Sequence, residues 1–175
     1  MSNDQTTLDL NAVAQTALSY AKKIGLDQAE VALHQGTGVS VAIRKQELET
    51  IEKHNDAQII VSVYKNKKTG SASSADLSEH GVQSVVNGAA SIAGHTGADE
   101  CLGLAAPELM ATDLADLDLH HPWQIDIADM TNIALRCEQA ALDTDDRISN
   151  SEGASLTSYQ AVSYTHLTLP TTPYV

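Results

Sequence analysis

Between Ala29 and Asn66 the chain changes side-chain character at nearly every residue, and nothing in that interval has the length or pattern of a crossover helix. Four segments carry the alternation: "AEVALHQ" (29–35), "VSVAIRK" (39–45), "ELETIEKH" (47–54) and "QIIVSVYKN" (58–66). In the second, Val39, Val41 and Ile43 share one face while Ser40, Ala42 and Arg44 share the other. That is the pattern of a half-buried antiparallel strand. Strands so close in sequence have no room for parallel crossovers and pair as a meander. "GTG" at 36–38 is expected to turn the first strand into the second, and Asn55-Asp56 to separate the third from the fourth. A further turn is expected between Asn66 and Gly70.

Helical periodicity flanks this block. Leu10, Ala14, Ala17, Ala21 and Ile24 repeat at spacings of four and three, which predicts a helix over residues 8–24. Lys22 and Lys23 suit its negative end, and Gly25 a left-handed cap. Asp76, with Glu79 three residues on, predicts a cap for a second helix carrying Val82, Val85, Val86, Ala89, Ile92 and Ala93, ending near Gly94 or Gly97. Residues 95–124 lack periodicity and read as a surface excursion. A third helix opens near Asp126 with Ile127, Met130, Ala134, Cys137 and Ala141 on one face, so Cys137 is expected in the core. "ISNSEGASLTSYQAV" (148–162) reads as the start of a hairpin turning at Glu152-Gly153. The sum is an α+β domain: an antiparallel meander sheet with about three helices packed against it. With no Phe and a single Trp among 175 residues, Ala, Val, Leu and Ile must fill its core.

Charge narrows the partners. Ten Lys and Arg oppose 23 Asp and Glu, a formal net charge of −13 that repels phosphate backbones and argues against nucleic acid and anionic membrane surfaces. No apolar run approaches the roughly 20 residues of a membrane span, and "MSNDQTTLDL" lacks the basic start and apolar core of an export signal. Two widely separated cysteines, Cys101 and Cys137, complete the expectation of a cytoplasmic protein with reduced thiols.

The search for chemistry returns mostly negatives. HExxH, HExxxH, CxxC, GxGxxG and GxxxxGK[ST] are all absent. "GSASS" (70–74) falls short of a nucleophile elbow, because Ala72 occupies the position of the serine. Ser73 and Ser74 read instead as hydroxyls on a short strand before a helix cap. His120 and His121 are adjacent in an extended segment and point to opposite sides, which suits a surface loop better than a shared ion. On a strand Glu30 and His34 lie some ~13 Å apart, too far for joint ligation. Asp113, Asp116 and Asp118 in "TDLADLDLHH" (112–121) lack the glycine and closing Glu of a calcium loop. No catalytic, cofactor-binding or metal-ligating residue is assigned.

Four stretches nevertheless point to a family. "TGVSV" (37–41), "GSASSADLS" (70–78), "DLDLHHPW" (116–123) and "RISNSEGAS" (147–155), in this order and spacing, resemble the N-terminal domain of PmbA-type (TldE) chains of the TldD/PmbA metallopeptidase family. The resemblance covers nearly all of residues 10–160. It implies a cytoplasmic peptidase in which a PmbA-type chain pairs with a TldD-type chain and cuts unfolded or flexible polypeptides, including peptide precursors. It also implies that zinc sits on a HExxxH helix in the C-terminal domain of the TldD-type chain. No residue here matches that motif, so none inherits a catalytic role, and no cofactor is expected in this stretch.

The end of the chain departs from the family. "VSYTHLTLPTTPYV" (162–175) has no charged residue and resembles translated sequencing adaptor, so residues 1–161 are expected to be the family domain, incomplete at its end, and 162–175 a foreign tail outside the fold. Function is accordingly expected to be scaffolding and the binding of substrate or partner. A free-standing interaction module without peptidase connection is the alternative, and a small hydrolase using Ser73 or Ser74 with His80 is a third reading.

Overall fold

The fold begins with a helix whose ends are chemically marked. In the computed structural model, which describes residues 9–111 and 115–167, α1 spans Leu10–Lys23. The Asp9 carboxylate accepts the backbone N–H of Ala12 at 3.1 Å, a donor that the helix itself leaves unpaired. Lys22 and Lys23 fall in the last turn, and Gly25 follows with φ 75°. Ala14, Ala17, Leu18 and Ala21 form the buried stripe.

The chain then runs through β1 (Gln28–Arg44), β2 (Glu47–Lys65), β3 (Lys68–Ser74), α2 (Glu79–His95), α3 (Ile127–Leu142) and β4 (Ala154–Leu167), with one short 3-10 turn at Pro107–Leu109. The four strands form an antiparallel sheet in the order β3-β2-β1-β4, so the expected α+β class with a meander and three helices is the observed one. β2 pairs with β3 from Lys65↔Lys68 to Ile59↔Ser74.

The strands are longer and fewer than the sequence suggested. "GTG" does not turn: Gly36 and Gly38 lie within β1, where the Tyr159 ring from β4 covers them, and a Cβ on Gly36 would collide with the Tyr159 hydroxyl. Glycine here leaves room for the Tyr159 ring to lie over the strand, a use that sequence pattern does not distinguish from a turn. Asn55-Asp56 is likewise continuous strand. The two tight turns are Lys45-Gln46, with φ 54° and 61°, and Asn66-Lys67, with φ 52° and 59°. Paired positive φ is the signature of two-residue type I′ hairpins.

Two further expectations are corrected. The cap of α2 is Ser78, whose hydroxyl accepts from Gly81 N–H at 3.2 Å, while Asp76 accepts from Ser78 N–H at 2.9 Å in the preceding turn. The residue with its side chain nearest the first free amides wins the cap. On α3 the buried positions are Met130, Ala134 and Glu138, and Cys137 is exposed. Strand β4 reaches Leu167, so residues 162–167, read from sequence as lying outside the fold, are strand. Backbone pairing along an edge needs no particular side chains, and "VSYTHL" is rich in β-formers. Residues 168–175 of that tail, and Asp113, lie outside the described residues.

The chain divides into two units. The first comprises Met1–Gln35, Ala57–Ala115 and Val162–Val175. Its core is purely aliphatic, with Val31, Leu33, Ile59, Val61 and Val63 from the sheet under Ala17, Leu18, Val82, Val86 and Ala89 from α1 and α2. Each Val, Leu or Ile so buried contributes roughly 1.5–3 kcal/mol. Gly70 of β3 sits directly beneath α2, against the backbone at Ala89 and Ala93. The second unit comprises Gly36–Asp56 and Asp116–Ala161, with Val41 and Ile43 packed on Met130 and Ala134.

Candidate binding edge

The strand β2 is nineteen residues long and β3 only seven, so β3 cannot accompany it throughout. Pairing stops at Ile59↔Ser74 because the chain turns away there: Asp76 N–H donates to the Ser74 hydroxyl at 3.0 Å, and the Ser78 cap then starts α2. Among the described residues, Glu47–Gln58 therefore pairs with no strand on the side away from β1. Such an edge presents a row of unpaired N–H and C=O groups to any extended chain.

The side chains of this stretch are as open as its backbone. Residues 47–53 are all exposed, on both faces of the strand, including Leu48 at 46% and Ile51 at 44%. Glu47, Glu49, Glu52 and Asp56 carry negative charge against Lys53 alone. Their ion pairs are loose: Glu49 lies 4.0 Å from Arg44, and Glu52 4.0 Å from His54. Exposed contacts of that length contribute little.

One end of the edge is held rigidly. Glu138 on α3, 1% exposed, accepts Lys45 N–H at 2.9 Å and Gln46 N–H at 2.6 Å. The Gln46 side-chain amide donates to the same carboxylate at 2.9 Å and to the Leu135 carbonyl at 3.3 Å. The Gln46 N–H holds the Glu138 carboxyl below its ordinary value, with further help from Lys45 N–H and the Ser151 hydroxyl, against the opposing effect of desolvation. Sequence reasoning missed Glu138. A signal was present, since Glu138 continues the four-residue spacing of Met130 and Ala134, but a carboxylate in an apolar stripe reads as solvated.

The residues weighed for chemistry do not assemble. Ser74 accepts from Asp76 N–H, and neither Ser73 nor Ser74 is hydrogen-bonded to His80 among the described residues. His34 meets the Ser163 hydroxyl at 2.8 Å, not Glu30. His121 stands 3.4 Å from Asp118 in an exposed loop that also holds His120. Cys101 and Cys137 are free. Among the described residues, no three His, Cys, Asp or Glu side chains converge to hold a metal ion, and no helix is long and apolar enough to cross a membrane. A cleft of about 1000 Å³ on the first unit is lined by Lys22, Lys65 and Lys67 together with Asp27, Glu100, Cys101 and His166.

Residues 29–93 match the family model described as PmbA/TldA metallopeptidase domain 1. Over 154 residues the chain is 44% identical to a metalloprotease PmbA homolog of Haemophilus influenzae, covering 88% of this chain and 34% of that protein. Over 153 residues it is 42% identical to metalloprotease PmbA of Escherichia coli O157:H7, covering 87% and 34%. The chain thus spans about a third of the length of these curated relatives. A crystal structure from Bacteroides thetaiotaomicron, titled as a modulator of DNA gyrase, superposes with a TM-score of 0.75 at 22% identity, covering 92% of this chain and 37% of that one. TldE from Thermococcus kodakarensis gives 0.57 at 16%, covering 89% and 38%. At such identities the structures speak for the fold alone.

Proposed function

The chain belongs to the PmbA/TldD metallopeptidase family, and from that premise we propose that it is the scaffold and binding domain of a PmbA/TldE-type subunit. In this reading residues 1–161 form the family's first domain and residues 162–175 are foreign to it. The catalytic zinc belongs to a TldD-type partner. Among the described residues no three His, Cys, Asp or Glu side chains converge into a set that would hold the ion. The whole assembly works in the cytoplasm on unfolded or flexible polypeptides and peptide precursors.

The observation that carries this reading is the open edge at Glu47–Gln58. An extended polypeptide adds to such an edge through main-chain hydrogen bonds, which ask nothing of its sequence. That property suits a protease whose substrates share a lack of structure and not a motif. The chain's own contribution is therefore to align and immobilise the substrate backbone, and the Glu138 clamp keeps the hairpin that carries the edge in one geometry.

The test is reconstitution. Mixed with a TldD-type subunit, the chain is expected to co-elute with it in size-exclusion chromatography with light scattering. Two separate peaks at micromolar concentration would favour the competing reading, an interaction module with no peptidase partner.

A further inference from the structure

We infer that the Glu47–Gln58 edge selects extended polypeptide segments bearing Lys or Arg between apolar residues. The inference rests on the binding role proposed above and adds a substrate chemistry to it. Main-chain pairing alone would be blind to sequence, but a strand added here would place its side chains directly opposite those of β2. Cross-strand neighbours on one face interact, favourably for opposite charges and unfavourably for like ones. Glu47 and Glu49 lie on one face of β2, and Glu52 and Asp56 on the other, so both faces of an incoming strand meet carboxylates. Leu48 and Ile51, also on opposite faces and about half exposed, offer apolar contact between them.

The same charges argue against a second copy of this chain as the occupant. Two such edges brought together would juxtapose carboxylates in a protein already carrying a net charge of −13. Acidic side chains on an open edge are a recognised device against self-pairing. An acidic unfolded segment meets the same repulsion.

Three fluorescein-labelled dodecapeptides test the inference by anisotropy on the full chain: one built of Lys and Val, one of Glu and Val, and the Lys–Val peptide N-methylated at alternate residues. The Lys–Val peptide should bind roughly tenfold more tightly than the Glu–Val peptide. Rising salt should narrow that gap, because the charges are exposed. N-methylation should weaken binding by a similar factor, since it removes strand donors and keeps the charge. In the variant carrying Glu47→Lys, Glu49→Lys and Glu52→Lys the preference should invert, with circular dichroism confirming the fold of these exposed positions.

Equal binding of the Lys and Glu peptides, with loss on N-methylation, would overturn the charge selection while leaving the edge as a binding site. Equal binding of the methylated and unmethylated Lys peptides would reduce the contact to nonspecific electrostatics and overturn the inference. No binding of any peptide would bring down the edge reading itself. Dimerisation of the chain that the triple reversal strengthens or abolishes would make a second copy the occupant and also overturn it.

Discussion

Glu138 receives both backbone N–H groups of the Lys45-Gln46 turn, one on each carboxylate oxygen, at 2.9 and 2.6 Å. A side chain of α3 thereby substitutes for the Asn-Gly chemistry that a type I′ turn ordinarily requires. Two non-glycine residues stay at positive φ because a buried anion holds their amides.

Replacing Glu138 should therefore loosen the hairpin tip. Glu138→Ala leaves two turn amides without their acceptor and should lower the melting temperature more than Glu138→Gln, which keeps one carbonyl oxygen. Amide exchange at Lys45 and Gln46, followed by NMR, should accelerate in both variants. Unchanged exchange would show that the turn holds itself.

The same carboxylate has a pH signature. Its folded-state value is depressed, first by the Gln46 N–H, so its stabilisation is complete above the ordinary carboxylate range. That stabilisation is lost as pH falls through the depressed value. A thermal-melt series should show wild type losing stability on acidification more steeply than Glu138→Gln, with the two curves converging at the acid end.

Glycines at two strand positions should differ in tolerance. At Gly70 a Cβ would strike the backbone of α2 at Ala89 and Ala93, which cannot yield without lifting the helix. Gly70→Ala should cost about 1–3 kcal/mol or more. At Gly36 the obstacle is the end of the Tyr159 side chain, which is 53% exposed, so a change of its rotamer can make room and Gly36→Ala should cost about 1 kcal/mol. Denaturant titration of both variants checks the order.

Helix capping offers a sharper local test. Ser78→Ala should cost about 1 kcal/mol, because the Gly81 N–H loses its acceptor. Asp76→Ala should cost less, since Asp76 serves the turn before the helix and not the helix itself.

These comparisons mark what sequence periodicity can carry. The stripe on α1 and the alternation at Val39, Val41 and Ile43 were legible because burial repeats with the geometry of the element. "GTG" was misread because glycine serves both a turn and a close strand crossing, and only the partner, Tyr159, decides between them. The alternation already broke between Lys45 and Glu47, but the turn chemistry of Lys45-Gln46 was not recognisable because the residue that permits it is about ninety positions away. Cys137 and Glu138 exchanged expected roles since hydropathy ranks thiol above carboxylate, whereas the turn amides make the buried site anionic. The open edge at Glu47–Gln58 was invisible for a different reason: it depends on where β3 stops.

Deletion of residues 162–175 addresses the foreign-tail proposal. The buried side chains of the first cluster run from Ala14 to Ala93, and among the described residues the tail adds to them only the partly buried Tyr164. The shortened chain should keep a cooperative unfolding transition for the first unit's core. Loss of that transition would show that the segment is integral to the fold.

The most direct measurement incubates the purified chain alone, in zinc-supplemented buffer, with an unstructured fluorogenic peptide. A scaffold and binding domain should leave the peptide intact for as long as the measurement runs. Cleavage that proceeds without a partner and stops on adding a chelator would contradict the account.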